Sequence, residues 1–229
     1  MTEARMTEAH LSEAHLSEDS DAAAIARQLE EDIVLGRILP RERLPEDGLM
    51  ARFGVKRHVV RKALHQLAAT GVLDHVPNKG AQVRAFSPDE VRELYALRDL
   101  LETAAAALIP LPLPEAEVAA LRAAQAPHDT AVAAGDAAAV FRANLAFHRQ
   151  LFALCPNRFL VEAVEAASAR AHGIRFAALC DPVAMKQARG DHHAMIAAAA
   201  EGRRDDLVRL CRDHLPASRA AYLAYAVTP

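Results

Sequence analysis

Two sets of side chains in this sequence have the types and spacing to do chemistry. The first is FGVKRHVVRKAL, residues 53–64, in which five of twelve residues are Lys, Arg or His. Cations at that density suit a polyanion, because each Lys or Arg that neutralises a phosphate releases condensed counterions. At helical periodicity Val60, Ala63, Leu64 and Leu67 share one face, while Arg57, His58, Arg61, Lys62 and His65 cluster opposite. One side of such a helix packs, and the other is open to phosphates and base edges. The second set is three histidines on apolar stripes. His148 shares a face with Asn144, Phe141, Leu145, Leu151 and Phe152; His192 lies with Met195, Ile196 and Ala199; His214 follows Leu207, Leu210 and Cys211. An imidazole facing an apolar interior is costly without a partner, so these are either core histidines satisfied by neighbours or nitrogens for one divalent metal.

The elements that must position these groups are marked by punctuation. Ile25, Leu29 and Ile33 recur every four residues and predict a helix from Asp21. LPRER then reads as a turn, residues 45–52 as a short helix, and Gly54 as the tight turn into a second helix from Arg57 to Thr70, closed by Gly71. VLDHV and AQVRA alternate as strands around PNKG, which places Lys79 and Gly80 at a hairpin tip. Helix, helix, turn, helix and hairpin make a winged helix-turn-helix over residues 21–86. Residues 1–20 form a polar near-repeat of five and read as a disordered tail.

A second domain, residues 87–229, opens at SPDE, with Ser87 as N-cap, Pro88 at the first helical position and Glu90 closing a capping box. Its spacing predicts helices near 88–109, 115–134, 136–154, 158–180, 182–201 and 204–226. The fold expected is therefore mostly α: a winged helix-turn-helix with a small β-hairpin wing, followed by an all-α antiparallel helical bundle. On the first bundle helix Leu94, Leu97 and Leu101 read as the core stripe, and Arg98 with Glu102 as an intrahelical ion pair worth ~0.5 kcal/mol or less.

Composition sets the limits. A chain of 229 residues, 52% hydrophobic and 25% charged, can form two modest cores. Its net charge of −3 conceals an asymmetry: residues 1–21 carry −5, residues 22–86 carry +4 and residues 87–229 carry −2. The three cysteines have no CxxC spacing, and the chain opens on no signal-peptide pattern, which predicts reduced thiols in the cytoplasm. No apolar run approaches the ~18 residues of a membrane span, so no membrane partner is expected.

Residues 38–83, ILPRERLPEDGLMARFGVKRHVVRKALHQLAATGVLDHVPNKGAQV, resemble the DNA-binding domain of the GntR family of bacterial transcription regulators. The resemblance implies contacts to double-stranded operator DNA from Arg57 and Arg61, and from Gly80 at the wing. Lys56, His58 and Lys62 depart from the Ser, Thr and Glu usual in the family and add positive charge. Residues 87–226 resemble the FCD effector domain of the FadR-type subgroup, through LYALRDLLE, NLAFHRQLF, DHHAMIAAAAEG and RDHL. That domain's metal ligands, an Asp and three His, fall on Asn144, His148, His192 and His214. His193 competes with His192, and an Asn stands where the family has its carboxylate. The resemblance further implies a divalent metal, zinc first with nickel or manganese as alternatives, and a small carboxylic-acid effector clamped by Arg98 beside Glu102. His172 and Arg175, mid-helix in the 158–180 segment, are placed to line the same cavity. The expected molecule is a homodimeric, ligand-responsive regulator and not an enzyme. A metal-dependent enzyme fused to a DNA-binding head is the alternative, but Glu102 is its only nearby general-base candidate, and there is no Glu-x-x-His pair.

Overall fold

The computed structural model describes residues 2–76, 80–175 and 181–227. The chain divides into two compact units, Met1–Ile33 with Arg37–Ala85, and Val34–Gly36 with Phe86–Pro229.

The first unit contains α1 (Thr2–Val34), α2 (Glu46–Phe53), α3 (Arg57–Ala69), β1 (Arg43–Leu44), β2 (Leu73–Val76) and β3 (Gly80–Val83). Gly54 ends α2 at φ +66°, a conformation in which a Cβ is strained, and its N–H donates to the Met50 carbonyl. After that turn α3 buries Val59, Val60, Ala63, Leu64 and Leu67 in one core with Leu29, Ile33, Leu49 and Leu73. The strands form an antiparallel sheet in the order β1-β3-β2, with Gln82 opposite Arg43 on one side and Asp74 on the other. β1 lies inside the segment read as a turn; two residues are too few to show alternation, and pairing with β3 makes them a strand. Asp32 on α1 is 2% exposed and accepts hydrogen bonds from Gln28, Arg37 and Arg52. Burial alone would push its carboxyl up, but the two guanidiniums outweigh burial and hold it below the usual range.

The N-terminal segment corrects the sequence reading. Residues 2–20, expected to be disordered, continue α1 as one helix. Their near-repeat contains no Gly or Pro and is rich in Ala, Glu and Leu, so helix propensity is high even where little apolar surface is available to bury.

The second unit is a helical bundle of α4 (Pro88–Leu108), α5 (Glu115–Ala134), α6 (Ala137–Phe152), α7 (Arg158–Arg170), α8 (Pro182–Ala200), α9 (Arg204–His214) and α10 (Pro216–Val227). Ser87 Oγ accepts from the Glu90 N–H at 3.2 Å, while the Ser87 N–H donates to Glu90 Oε2 at 2.8 Å, which completes the capping box. At α6, α7 and α8 the side chains of Asp136, Asn157 and Asp181 accept from the backbone N–H groups of Ala139, Leu160 and Val183. Ala105, Ile109, Leu121, Phe147, Leu151, Met195 and Leu207 make the central core. Two predicted helices are broken. The 158–180 segment stops at Arg170 and passes through a 3-10 turn, His172–Ile174, with residues 176–180 outside the described residues. The 204–226 segment divides at Pro216, which has no N–H to continue the α9 ladder and serves instead as the first residue of α10.

The face of α4 is also corrected. Val91, Tyr95, Arg98, Glu102, Ala105 and Ala106 are buried, whereas Leu97 and Leu100 are 41% and 69% exposed. The charged pair faces inward; of the three leucines read as core, Leu97 faces outward, while Leu94 and Leu101 are half-buried against the neighbouring apolar clusters.

Candidate functional site

On α3 the basic residues fall where the sequence places them. Arg57, His58, Arg61, Lys62 and His65 are exposed, as is Lys56 just before the helix, and Gly80 opens β3 at φ +80°. Lys79 lies outside the described residues. Each of four cations and one imidazole meets an acid of the same unit. Arg57 donates to Glu46 at 3.0 Å and Asp47 at 2.6 Å, and Arg61 Nε donates to the other Glu46 oxygen at 2.9 Å. Lys62 pairs with Asp19, while Glu18 takes Lys56 at 3.7 Å and His58 at 3.0 Å. The hydrogen bond from Arg61, with help from Arg57, holds the Glu46 carboxyl below its usual range. Such exposed pairs are worth roughly 0–1 kcal/mol each, so a phosphate can replace the carboxylate at small cost. Glu46 meanwhile holds two guanidiniums of successive turns side by side.

In the bundle, nitrogens of His148, His192 and His214 all lie within 4.8 Å of one another. α6 supplies His148, α8 His192 and α9 His214, so three helices must dock to build the group. His192 is fully buried and His193 points outward, where it meets Asp129 at 3.0 Å. His192 Nδ1 is 2.8 Å from Gln125 Oε1 and His214 Nδ1 is 3.0 Å from an Asp191 oxygen. Both contacts place a hydrogen on Nδ1 and leave Nε2 with a lone pair turned inward, the usual support of a metal-ligating imidazole. His148 Nε2 and His214 Nε2 approach to 3.2 Å, a separation two lone pairs tolerate only with a proton or a cation between them. That distance matches the ~3.3 Å edge of a tetrahedron with metal–nitrogen bonds of ~2.05 Å. His148 Nδ1 and His192 Nε2 are buried without hydrogen-bond partners. The residues therefore fit a divalent metal, with the neutral Asn144 lining the adjoining cavity in place of a carboxylate. Burial, reinforced by the neighbouring histidines, holds the pKa of His148 and of His192 well below 6.5, in the neutral form that ligation requires.

The cavity beside these nitrogens is lined by Arg98, Asn144, His148, Arg175 and His214, together with His128, Phe141 and Met185. Glu102 and His172 line a second hollow, which shares Arg98 and His148 with the first. The Arg98–Glu102 pair is not the solvated bridge of the sequence reading. Its side chains are 5% and 4% exposed and joined at 2.9 Å; burial works against the Arg98 charge, but Glu102 and Tyr95 together outweigh it and raise the pKa. Arg175 is buried and donates to Ser168 Oγ at 2.9 Å. Cys211, one turn before His214, is buried, and desolvation pushes its thiol far up, with the Glu102 charge adding to the effect.

Sequence reasoning missed Gln125 and His128. Both are essentially unexposed on α5, and His128 Nε2 has no partner. Burial pushes the His128 pKa down to about 4 against the pull of Asp129. The signal was present: Val118, Leu121, Gln125, His128 and Val132 recur at three- and four-residue steps, so two polar side chains stand on an apolar stripe.

A winged helix-turn-helix joined to a helical bundle with a buried histidine group defines a class of two-domain bacterial regulators, and comparison with known proteins agrees. Residues 21–83 match the model for bacterial regulatory proteins of the gntR family, and residues 93–217 match the FCD domain. The chain belongs to the GntR family, as a DNA-binding transcription regulator that carries an FCD effector domain. It is 29% identical over 178 residues to the Nta operon transcriptional regulator of Aminobacter aminovorans, covering 77% of this chain and 82% of that one. It is 30% identical over 139 residues to the HTH-type regulator YdhC of Bacillus subtilis, covering 60% of this chain and 62% of the relative. Its fold is similar to that of a GntR protein from Rhodococcus sp. RHA1, with TM-score 0.73 and 23% identity over 90% of this chain and 98% of the other. It is also similar to that of E. coli McbR/YncC, with TM-score 0.69 and 21% identity over 90% and 96%. These relatives are regulators, not enzymes. Among the described residues no helix is long and apolar enough to cross a membrane.

Proposed function

We propose that this chain is a cytoplasmic, homodimeric regulator whose affinity for operator DNA is set by a small carboxylate bound in the bundle beside a divalent metal. The observation that carries the reading is the convergence of His148, His192 and His214 nitrogens within 4.8 Å of one another beside a cavity that Arg98 and Arg175 line. His148, His192 and His214, with the Asn144 amide beside them, would hold zinc, or nickel or manganese, which when bound offers an electrophilic anchor for a carboxylate oxygen. The guanidiniums suit the rest of the anion, because a planar fork matches a planar carboxylate.

On the DNA side, Arg57 and Arg61 enter the major groove from the start of α3, Lys56, His58, Lys62 and His65 support the contact, and Lys79 with Gly80 follow the backbone from the wing. Homodimerisation is supported by α4, where Ala96, Leu97, Leu100, Ala104, Ala107 and Leu108 form an exposed apolar stripe at three- and four-residue steps that a second copy would cover. Selection of duplexes from a random pool by the purified chain, followed by mobility shifts with and without small carboxylates, tests the reading. A two-fold symmetric site whose affinity changes with one acid is expected. Failure to enrich any sequence, or enrichment of an asymmetric site by a monomer, would overturn it.

A further inference from the structure

One side chain reads two imidazoles in opposite senses. Gln125 Nε2 lies 2.9 Å from Asp129 Oδ1, and a carboxylate only accepts, so the orientation of the amide is fixed. Its Oε1 is then the atom that His192 Nδ1 approaches at 2.8 Å, and Nδ1 must carry the hydrogen. A neutral ring has a single N–H, which leaves His192 Nε2 as a bare lone pair. The second hydrogen of Gln125 Nε2 is directed at His128 Nδ1, 3.3 Å away, so that nitrogen is the acceptor and the His128 hydrogen resides on Nε2. The two rings are fully buried with centroids 4.8 Å apart, and both Nε2 atoms are without partners. One of these nitrogens seeks a cation and the other seeks an oxygen. The convergent group of His148, His192 and His214 does not include His128, although His128 lines the same cavity as Arg98 and Arg175.

We propose that His128 is an oxyanion-binding residue: its Nε2–H donates to an oxygen of the carboxylate held in the bundle cavity and does not ligate the metal. Gln125 is the positioning residue that writes both tautomers. The proposal rests on the reading of the cavity as an anion site. It extends that reading to a third donor, which a carboxylate can accept together with the guanidiniums because its two oxygens offer about four lone-pair sites.

The test begins with ring nitrogen–proton correlation spectra of the metal-free full-length chain at pH 7. His128 is expected as the Nε2–H tautomer and His192 as the Nδ1–H tautomer; a His128 hydrogen on Nδ1 overturns the proposal. Cobalt(II) and acetate then serve as separate probes of wild type, His128→Phe and His128→Gln. His128→Phe should keep cobalt affinity within a few-fold and weaken acetate binding about tenfold, the usual loss for a hydrogen bond to a charged group, with partial recovery in His128→Gln. Loss of cobalt binding in His128→Phe would make the residue a ligand, and unchanged acetate affinity would remove its role; either result overturns the proposal. If wild type binds no cobalt, the metal part of the functional reading fails, and calorimetric acetate titration of the same variants still decides the role of His128. If wild type binds no acetate, the oxyanion role is overturned whatever the metal does.

Discussion

Arg61 with Glu46 and Arg98 with Glu102 are the same chemical pair, a guanidinium on a carboxylate at 2.9 Å, set in opposite surroundings. The Arg61 side chain is 59% exposed, so water and salt compete for both partners and the bond is exchangeable. The Arg98 pair has lost its water; neither partner can leave without stranding the other. The difference teaches what each region is for. On the proposed reading the α3 pairs hold cations that a phosphate would take over, whereas in the bundle the pair is a fixture that shapes the cavity wall.

Breaking the buried member of the comparison should have the largest effect. Glu102→Gln leaves the Arg98 charge without its counter-ion and is expected to cost roughly 3–5 kcal/mol of stability, read as a denaturant midpoint shift. Next comes Arg57→Ala or Arg61→Ala, each expected to weaken operator binding by ~1–3 kcal/mol, to flatten the salt dependence and to leave stability unchanged, as judged by mobility shifts at several salt concentrations.

Acid should separate the two regions in a third way. His128, His148 and His192 are held neutral in the fold, with His128 at about 4, so between pH 6.5 and that value the unfolded chain binds protons that the folded chain refuses. Stability of the metal-free protein therefore falls as pH drops through this window, by at most ~1.4 kcal/mol per pH unit for each such histidine, and is flat in these groups above pH 7. Thermal melts across pH 4–8 measure it, and a flat profile below 6.5 would contradict the burial of the three rings. The smallest effect is expected from Glu18→Gln with Asp19→Asn, which frees Lys56, His58 and Lys62 of exposed partners. Operator affinity should rise no more than a few-fold, a change visible at low salt and gone at high salt.

Legibility in the sequence follows the same division. The α3 face was readable because periodicity, the Gly54 turn and the wing are all local, and exposure follows from where the aliphatic residues are. His148, His192 and His214 were readable as stripes, each on its own helix. What the stripes lacked was Gln125 and His128, whose meaning depends on an amide of α5 reaching His192 on α8, a contact that no single helix encodes. On α4 the leucines outweigh the charged pair in any hydrophobicity count, and only the fold reveals that Arg98 and Glu102 satisfy each other well enough to go inside. The break at Pro216 was written in the chain but hidden by the apolar spacing that continues across it. Helicity of residues 2–20 was masked by polarity, a poor guide where propensity alone is favourable.

Cys211 gives the molecule a built-in clock. A thiol kept protonated and sealed within α9 is inert to iodoacetamide until that helix loosens, and the same helix carries His214 one turn on. The pace of its alkylation, followed by mass spectrometry of the peptide that contains it, therefore counts openings at the very wall where an occupant would sit, and a tight occupant should slow the count.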